Sequence, residues 1–334
     1  MRIITRCLTV MLILLFSSAV IFGAGAAERV EPPEVTSIED LKDQSFTFII
    51  GFGAGGSTDL SARLLADGLN KMGLDVTVVN RPGGLGTEAA AWVMDQSPRD
   101  NIWAAVVPLS FYFLPASEDT GFTWRDFDPV ATWGGVKFCF AVHADSPFES
   151  LQDVFDYGKA KPGELLVGSQ GEDTNEHYVC ERLMASGGVD DFTYISFAGG
   201  ADVATNLLGK HIDVGYMSIS AVKSMVDAGD LRILAHNSLF MERLPFMPDI
   251  PNITEYGIDA PHFNTLALWA PKGTSESVRR VMGEAIKEVI TDQEMIERHR
   301  AMGIELAFLD IEGTRSTAED TADQFIEDYL DWLD

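Results

Sequence analysis

Cysteine is scarce: three in 334 residues, with only Cys139 and Cys180 beyond the first few positions. That excludes a scaffold built on disulfides. The two can pair in an oxidising compartment, but Cys139 sits in an apolar strand pattern and Cys180 on a helix, so both are expected as small buried side chains. Basic residues are few as well: 24 Lys+Arg stand against 51 Asp+Glu, a net charge of −27. This argues against nucleic acid and anionic membrane surfaces as partners. The six histidines are scattered with no H-E-x-x-H, so neither a metal nor a cofactor is expected. No G-x-S-x-G elbow occurs, and Ser57 and Ser169 lack a base and an orienter that sequence can place, which argues against a hydrolase. Internal repeats, Gly/Ser linkers and long apolar runs are absent beyond the N-terminus.

The N-terminus has what the rest lacks. Arg2 and Arg6 precede an apolar stretch, Leu8 to Phe22, that ends in Ala24-Gly25-Ala26. This is the pattern of a cleavable secretory signal over residues 1–26, with a retained membrane anchor as the alternative. Cys7 lies too early to carry a lipid after cleavage. Loss of Arg2 and Arg6 would take the charge from −27 to −29. The remainder is expected as a soluble exported chain of about 305 residues, a length that suits two domains.

The most informative stretch is an apolar strand pattern that runs into a glycine turn and then a helix: Phe46 to Phe52, Gly53-Ala54-Gly55-Gly56-Ser57-Thr58-Asp59, and a helical period to Met72. Backbone N–H groups at such a turn, with a helix N-terminus behind them, form a ready anion site. Glycine also lets the backbone approach a ligand. Gly51, Gly53 and Gly56 fit G-x-G-x-x-G as well, the fingerprint of a nucleotide-cofactor oxidoreductase. The acid expected at the end of the second strand is missing, however, for that place reads Val79-Asn80-Arg81. An exported compartment also rarely supplies nicotinamide cofactors.

Strand and helix patterns alternate along the chain, and the apolar Val/Ile runs suit parallel strands buried on both faces. The fold class is therefore α/β, with two doubly wound sheets joined by crossover strands. One unit is expected over 44–138 and 268–334 and the other over 139–267. Lys137–His143 leads out, Phe263–Ala270 leads back, and a cleft lies between the units. Three helices close the chain, with Thr274, Thr291-x-x-Glu294 and Ser316-x-x-Glu319 as their start signals. Ligands in open α/β sheets bind beyond the carboxyl ends of strands. Three glycine turns stand there, at 51–56, 168–171 and 198–200.

The candidate ligand residues are Phe52, Gly53, Gly55, Gly56, Ser57, Thr58, Ser169, Gly171, Glu172, Thr174, Asn175, Phe197, Gly199 and Gly200. Ser57 is placed equally to donate to a ligand or to cap its helix. Asp59 is expected to complement the helix dipole. Arg81 can meet a carboxylate or a structural partner, and Asn80 can reach the cleft or tie down the turn. Asp173-x-x-Glu176 reads as a capping-box-like helix start. Glu172 has no such structural explanation and is the expected specificity residue. A Ca²⁺ held by Glu172, Asp173 and Glu176 is an open alternative.

Taken together, the motifs resemble the periplasmic solute-binding receptors of tripartite tricarboxylate transporters, the Bug receptors. The resemblance rests on Gly53-Ala-Gly-Gly-Ser-Thr-Asp59, Asn80-Arg81-Pro82-Gly83, Ser169-x-Gly171 with His177, Leu207 to Asp213, and Pro248-Asp-Ile-Pro251 to Gly257. It spans about Phe46 to Leu309. It implies a two-lobed periplasmic-binding-protein-like fold that captures a small organic carboxylate, largely on backbone N–H groups and waters of the loops at 53–58 and 169–174. It further implies closure of the lobes and delivery to membrane permease subunits, and the chain is separately expected to be a monomer. A sensor that feeds a membrane kinase is the alternative. The chain departs from the pattern at Gly53-Ala54, where the family usually has Pro, and in the acidic run Glu172 to Glu176. Extra acids near a cleft would repel a carboxylate, which leaves monoacid, zwitterion, cation and metal-bound acid all open as ligands.

Overall fold

The computed structural model describes residues 34–172, 174–238, 243–244, 247–256 and 265–333. The signal segment, Asp173, Gly257 and Phe263 lie outside these residues. Two sheets organise the chain. The six-stranded sheet has the order β11 (Ile304–Leu309), β4 (Phe127–Val136), β10 (Thr265–Pro271), β3 (Ile102–Val106), β1 (Ser45–Ile50), β2 (Asp75–Asn80), and the five-stranded sheet the order β7 (Thr193–Phe197), β6 (Leu166–Gln170), β8 (Val214–Ser218), β5 (Phe138–His143), β9 (Leu231–Asn237).

The first sheet begins as the sequence pattern suggests. β1 (Ser45–Ile50) leads to α1 (Ser57–Lys71), then β2 (Asp75–Asn80), α2 (Thr87–Met94) and β3 (Ile102–Val106). β1 pairs in parallel with both β2 and β3, and the helices form the crossovers that parallel strands require. Phe46 and Phe48 pack on Trp103, with ring centroids 5.1 and 6.3 Å apart, beneath α1. Each such fully buried aromatic side chain would cost about 3–5 kcal/mol to truncate.

β4 (Phe127–Val136) was not anticipated in the sequence, because Pro129, Gly134 and Gly135 are poor strand residues. The structure explains Gly134: a Cβ there would come within 2.3 Å of the Glu305 carbonyl oxygen, so only glycine lets β11 (Ile304–Leu309) approach. Pro129 lies beside a register shift against β10 (Thr265–Pro271), where its missing N–H is tolerated.

The chain then crosses to the second sheet through Lys137 and continues as β5 (Phe138–His143). There follow α3 (Leu151–Ala160), β6 (Leu166–Gln170), α4 (Asn175–Ser186), β7 (Thr193–Phe197), α5 (Gly200–Leu208), β8 (Val214–Ser218), α6 (Ile219–Ala228) and β9 (Leu231–Asn237). β6 pairs in parallel with β7 and β8, while β5 runs antiparallel to β8 and β9. The strand expected to lead back is β10, and all of it, Thr265 to Ala267 included, pairs inside the six-stranded sheet.

One charge sits where the chain crosses. Lys137 is 3% exposed, and its Nζ meets Glu305 Oε2 at 2.7 Å. Ser238, just past β9, donates to the same carboxylate oxygen at 3.0 Å. Burial lowers the Lys137 pKa, against the opposing pull of Glu305. A single apolar cluster also spans the crossing, from Trp269 in the first sheet and Phe111 in the helical turn after β3 to Phe140 and Tyr216 in the second sheet.

The closing segment differs from its sequence signals. Asp292, not Thr291, caps α8 (Gln293–Ala301) by accepting from the Met295 N–H. The Thr291 hydroxyl instead finishes α7 (Glu276–Ile290) by bonding the Lys287 and Glu288 carbonyls. Ser275 stands at the start of α7, and Thr274 donates to the Pro271 carbonyl. Ser316 lies inside α9 (Ile311–Leu333), which begins earlier, where Asp310 accepts from the Gly313 N–H. β11, between α8 and α9, was also missed. Cys139 and Cys180 are both buried and free. Among the described residues no helix is long and apolar enough to cross a membrane.

Candidate functional site

A cavity of about 210 Å³ lies where the two sheets' strand ends meet, lined by Phe52, Gly56, Ser57, Thr58, Val107, Val136, Phe138, Gln170, Glu176 and Ser218. Phe52 and Val107 follow β1 and β3, Gln170 ends β6 and Ser218 ends β8. These are the carboxyl ends of parallel strands, the position that open α/β sheets use for ligands. A larger groove of about 360 Å³ runs between α1, α7 and α8. No strand end is among its lining residues, and ion pairs from Lys71 to Asp67 and Glu294 lie beside it, so the smaller cavity at the strand ends is the better candidate.

The first wall is the turn after β1. Gly51 is required by packing, because a Cβ there would lie 2.4 Å from the Gly86 Cα. That assigns the first glycine of the dinucleotide-like pattern to backbone contact, not to a pyrophosphate. Gly55 has φ +89°, and Gly53 and Gly55 both have open space where a Cβ would stand. Gly56 occupies the N-cap of α1 and Ser57 its first turn, so Ser57 is not the cap. Its hydroxyl lies 3.3 Å from the Ser220 hydroxyl on α6, joining the two sides of the cleft.

Asp59 holds this turn from behind. It accepts from the Gly55 N–H at 2.9 Å, Arg63 Nε at 2.9 Å and Asn80 Nδ2 at 2.8 Å. Asn80 also donates to the Phe52 carbonyl. Burial alone would raise the Asp59 pKa, but the hydrogen bonds from Arg63, Gly55 and Asn80 and the Arg63 charge outweigh it and hold the carboxyl below its usual range. Arg81 turns away from this network and stacks 4.3 Å over Trp92.

The second wall is the turn after β6. Gly171 has φ +71°, and its carbonyl accepts from the Tyr194 hydroxyl at 2.6 Å. Thr174 caps α4: its hydroxyl accepts from the His177 N–H and donates to the Gln170 carbonyl. The capping role expected of Asp173 and Glu176 thus belongs to Thr174. Asn175 is the first helical residue. His177 stacks on Tyr194 with centroids 3.7 Å apart. Burial raises the Tyr194 pKa, and the nearby charges, Glu176 among them, push the same way.

Of the candidates, Phe52, Gly56, Ser57 and Thr58 line the cavity, and Gly53 and Gly55 share their turn. Ser169 is fully buried beside Gln170. Phe197 packs over Gly168, where a Cβ would meet its ring at 2.8 Å. Gly199 caps α5 with open space at its Cβ position, and Gly200 lies beside Gln170 Oε1. Gly171, Thr174 and Asn175 form the turn behind the wall. Glu172 is exposed and does not line the cavity. Glu176, read from sequence as a cap, does line it and is 6% exposed. Sequence reasoning also missed Val107, Val136, Phe138, Gln170 and Ser218. Gln170 and Ser218 carried the usable signal, since each ends a strand just ahead of a turn or helix. Among the described residues no three His, Cys, Asp or Glu side chains are grouped to hold a metal ion.

Two α/β sheets with a cavity at their facing strand ends define a solute-binding fold. The sequence from 61 to 328 matches the family described as tripartite tricarboxylate transporter family receptor, TctC, and the chain belongs to that family. A Cupriavidus necator relative named "UPF0065 protein in gbd 5'region" is 31% identical over 262 residues, 77% of this chain and 78% of its own. A TctC solute-binding protein from Polaromonas superposes with a TM-score of 0.73 at 26% identity, covering 87% of this chain and 98% of its own. An R. palustris protein with adipate superposes with a TM-score of 0.71 at 22% identity, covering 86% of this chain and 96% of its own.

Proposed function

We propose that this chain is a periplasmic receptor that captures a small organic acid between its two sheets and delivers it to a tripartite membrane permease, acting as a monomer. The observation that carries this reading is the cavity itself. It is lined by strand ends from both sheets and by the first turn of α1, whose backbone N–H groups and dipole favour an anion. The adipate carried by a structural neighbour supports a carboxylate as the ligand class. The two sheets would act as lobes 44–138 with 268–334 and 139–267, shifted where Phe138 begins β5 and where β10 joins the first sheet. A ligand that contacts both lobes only when they are closed shifts the population towards closure, and the permease reads the closed shape. The N-terminal 26 residues would direct export.

Thermal unfolding and small-angle scattering of the chain without residues 1–26 test this, with adipate, malate, citrate, NAD(H) and NADP(H) as probes. One acid at about 100 times its Kd should add roughly 2.7 kcal/mol of stability and compact the particle. Binding without compaction would remove closure, and a nicotinamide response would return the glycine turn to cofactor chemistry.

A further inference from the structure

Three hydroxyls join the two sides of the cavity. Ser57 stands in the first turn of α1, Ser218 ends β8, and Ser220 is the second residue of α6. Ser57 and Ser218 line the cavity, whereas Ser220 is not among its lining residues. Ser220 Oγ donates to Ser218 Oγ at 3.0 Å, and Ser57 Oγ lies 3.3 Å from Ser220 Oγ. A hydroxyl has one hydrogen to donate and two lone pairs with which to accept. The Ser220 hydrogen is committed to Ser218, so in the contact across the cavity Ser57 is the donor.

Donation therefore runs from Ser57 to Ser220 to Ser218 and leaves one hydrogen over, that of Ser218. Ser218 stands at the N-cap of α6 but makes no side-chain capping bond. Its remaining hydrogen points away from Ser220 and lies on the cavity wall. An oxygen of a bound acid can accept it there. Hydrogen bonds in a chain polarise one another, and an ionised acceptor strengthens the last of them.

The chain also crosses the seam between the two sheets. α1 lies against the first sheet and α6 against the second. The seam is tight at Ser220 from the other side as well. A Cβ on Gly303, just ahead of β11, would come within 3.0 Å of the Ser220 backbone nitrogen, and Gly303 has φ +70°.

We propose that Ser220 is a positioning residue that ties closure to affinity: it accepts from Ser57 only when the two sides meet, and it holds the Ser218 hydroxyl turned to donate to an oxygen of the captured acid. The proposal rests on the receptor reading above and deepens it.

Calorimetry and stopped-flow binding with adipate, malate and citrate test it. Wild-type protein should bind at least one of the three. For that acid Ser220→Ala should weaken binding about three- to tenfold, the scale of one net hydrogen bond. The loss should appear as faster dissociation with the association rate unchanged. Ser57→Ala and Ser220→Ala break the same contact, so the double variant should lose less than the product of the two single losses. Ser220→Thr keeps the hydroxyl and should recover most of the affinity, and circular dichroism should show all variants folded alike. A residue that only packs α6 would produce neither the rate split nor the non-additivity. Wild-type dissociation in Ser220→Ala, or single losses that simply multiply, overturns the proposal and leaves the receptor reading standing. Wild-type protein that binds none of the three acids overturns both.

Discussion

The two turns that wall the cavity are built in opposite ways. The turn after β1 keeps its charge behind the backbone: Asp59, Arg63 and Asn80 form a network that fixes Gly55 and Phe52 and leaves bare peptide groups facing forward. The turn after β6 is tied by neutral groups, the Thr174 and Tyr194 hydroxyls, and brings its charge forward as Glu176. The contrast teaches that a carboxylate engaged by neighbouring donors can stiffen a turn from behind, whereas a turn tied by hydroxyls leaves its acid on the cavity wall.

The largest expected effect lies between the turns. Glu305→Gln removes the charge opposite buried Lys137 and should cost about 3–5 kcal/mol in urea unfolding, while the order of affinities across ligands stays fixed. A reordered ligand panel would mean that the turns are not independent of the crossing. Next, Asp59→Ala leaves the Gly55 N–H and the Asn80 amide without their acceptor and should cost about 2 kcal/mol. It should weaken all ligands alike, so a change in selectivity would break the contrast. Thr174→Ala should cost about 1 kcal/mol as a lost helix cap, with the order of ligand affinities retained.

Titration separates the turns more gently. The Asp59 pKa is depressed in the folded protein, so its contribution is complete above the unfolded value of about 3.9 and is lost as pH falls through the folded value. Thermal stability should therefore decline below about pH 4, and Asp59→Ala should decline less over that range. His299 adds an earlier step. Burial lowers its pKa, it accepts from the Ser61 hydroxyl and donates to the Met295 carbonyl, and the unfolded chain takes up the proton first as pH falls below about 6.5. His299→Gln should flatten that step in a melting curve taken from pH 7 to pH 5. The smallest effect is expected of Glu172→Gln, within about 0.5 kcal/mol in stability and below Glu176→Gln in its effect on ligand preference. The reverse ranking would move the discriminating acid from the wall to the rim.

Much of the fold was legible because strand and helix periods differ and most of this chain's elements follow one or the other. β4 was hidden by Pro129, Gly134 and Gly135, residues that local propensity counts against a strand. Pro129 and Gly134 are explained only by distant neighbours, β10 and the Glu305 backbone. The helix starts at Asp292 and Asp310 were masked by nearby Thr and Ser residues that fit the same spacing rule. In the site, Gly56, Ser57 and Thr58 could be read because the glycine turn is contiguous in sequence. Val107, Val136 and Phe138 could not, since they reach the cavity through sheet order and the crossing, neither of which leaves a local mark. Glu172 and Glu176 are four residues apart, and sequence alone could not tell which faces inward once Thr174 took the cap.

The crossing has a consequence for how the protein comes apart. From Phe127 to Val142 the consecutive strands β4 and β5 are buried apart from a partial opening at Val136, and the apolar cluster around them draws on both sheets. Amide hydrogens along this segment are expected to exchange only when the whole molecule unfolds. The two halves should then share one melting transition, and a protease that waits for one half to open on its own should find no such opening.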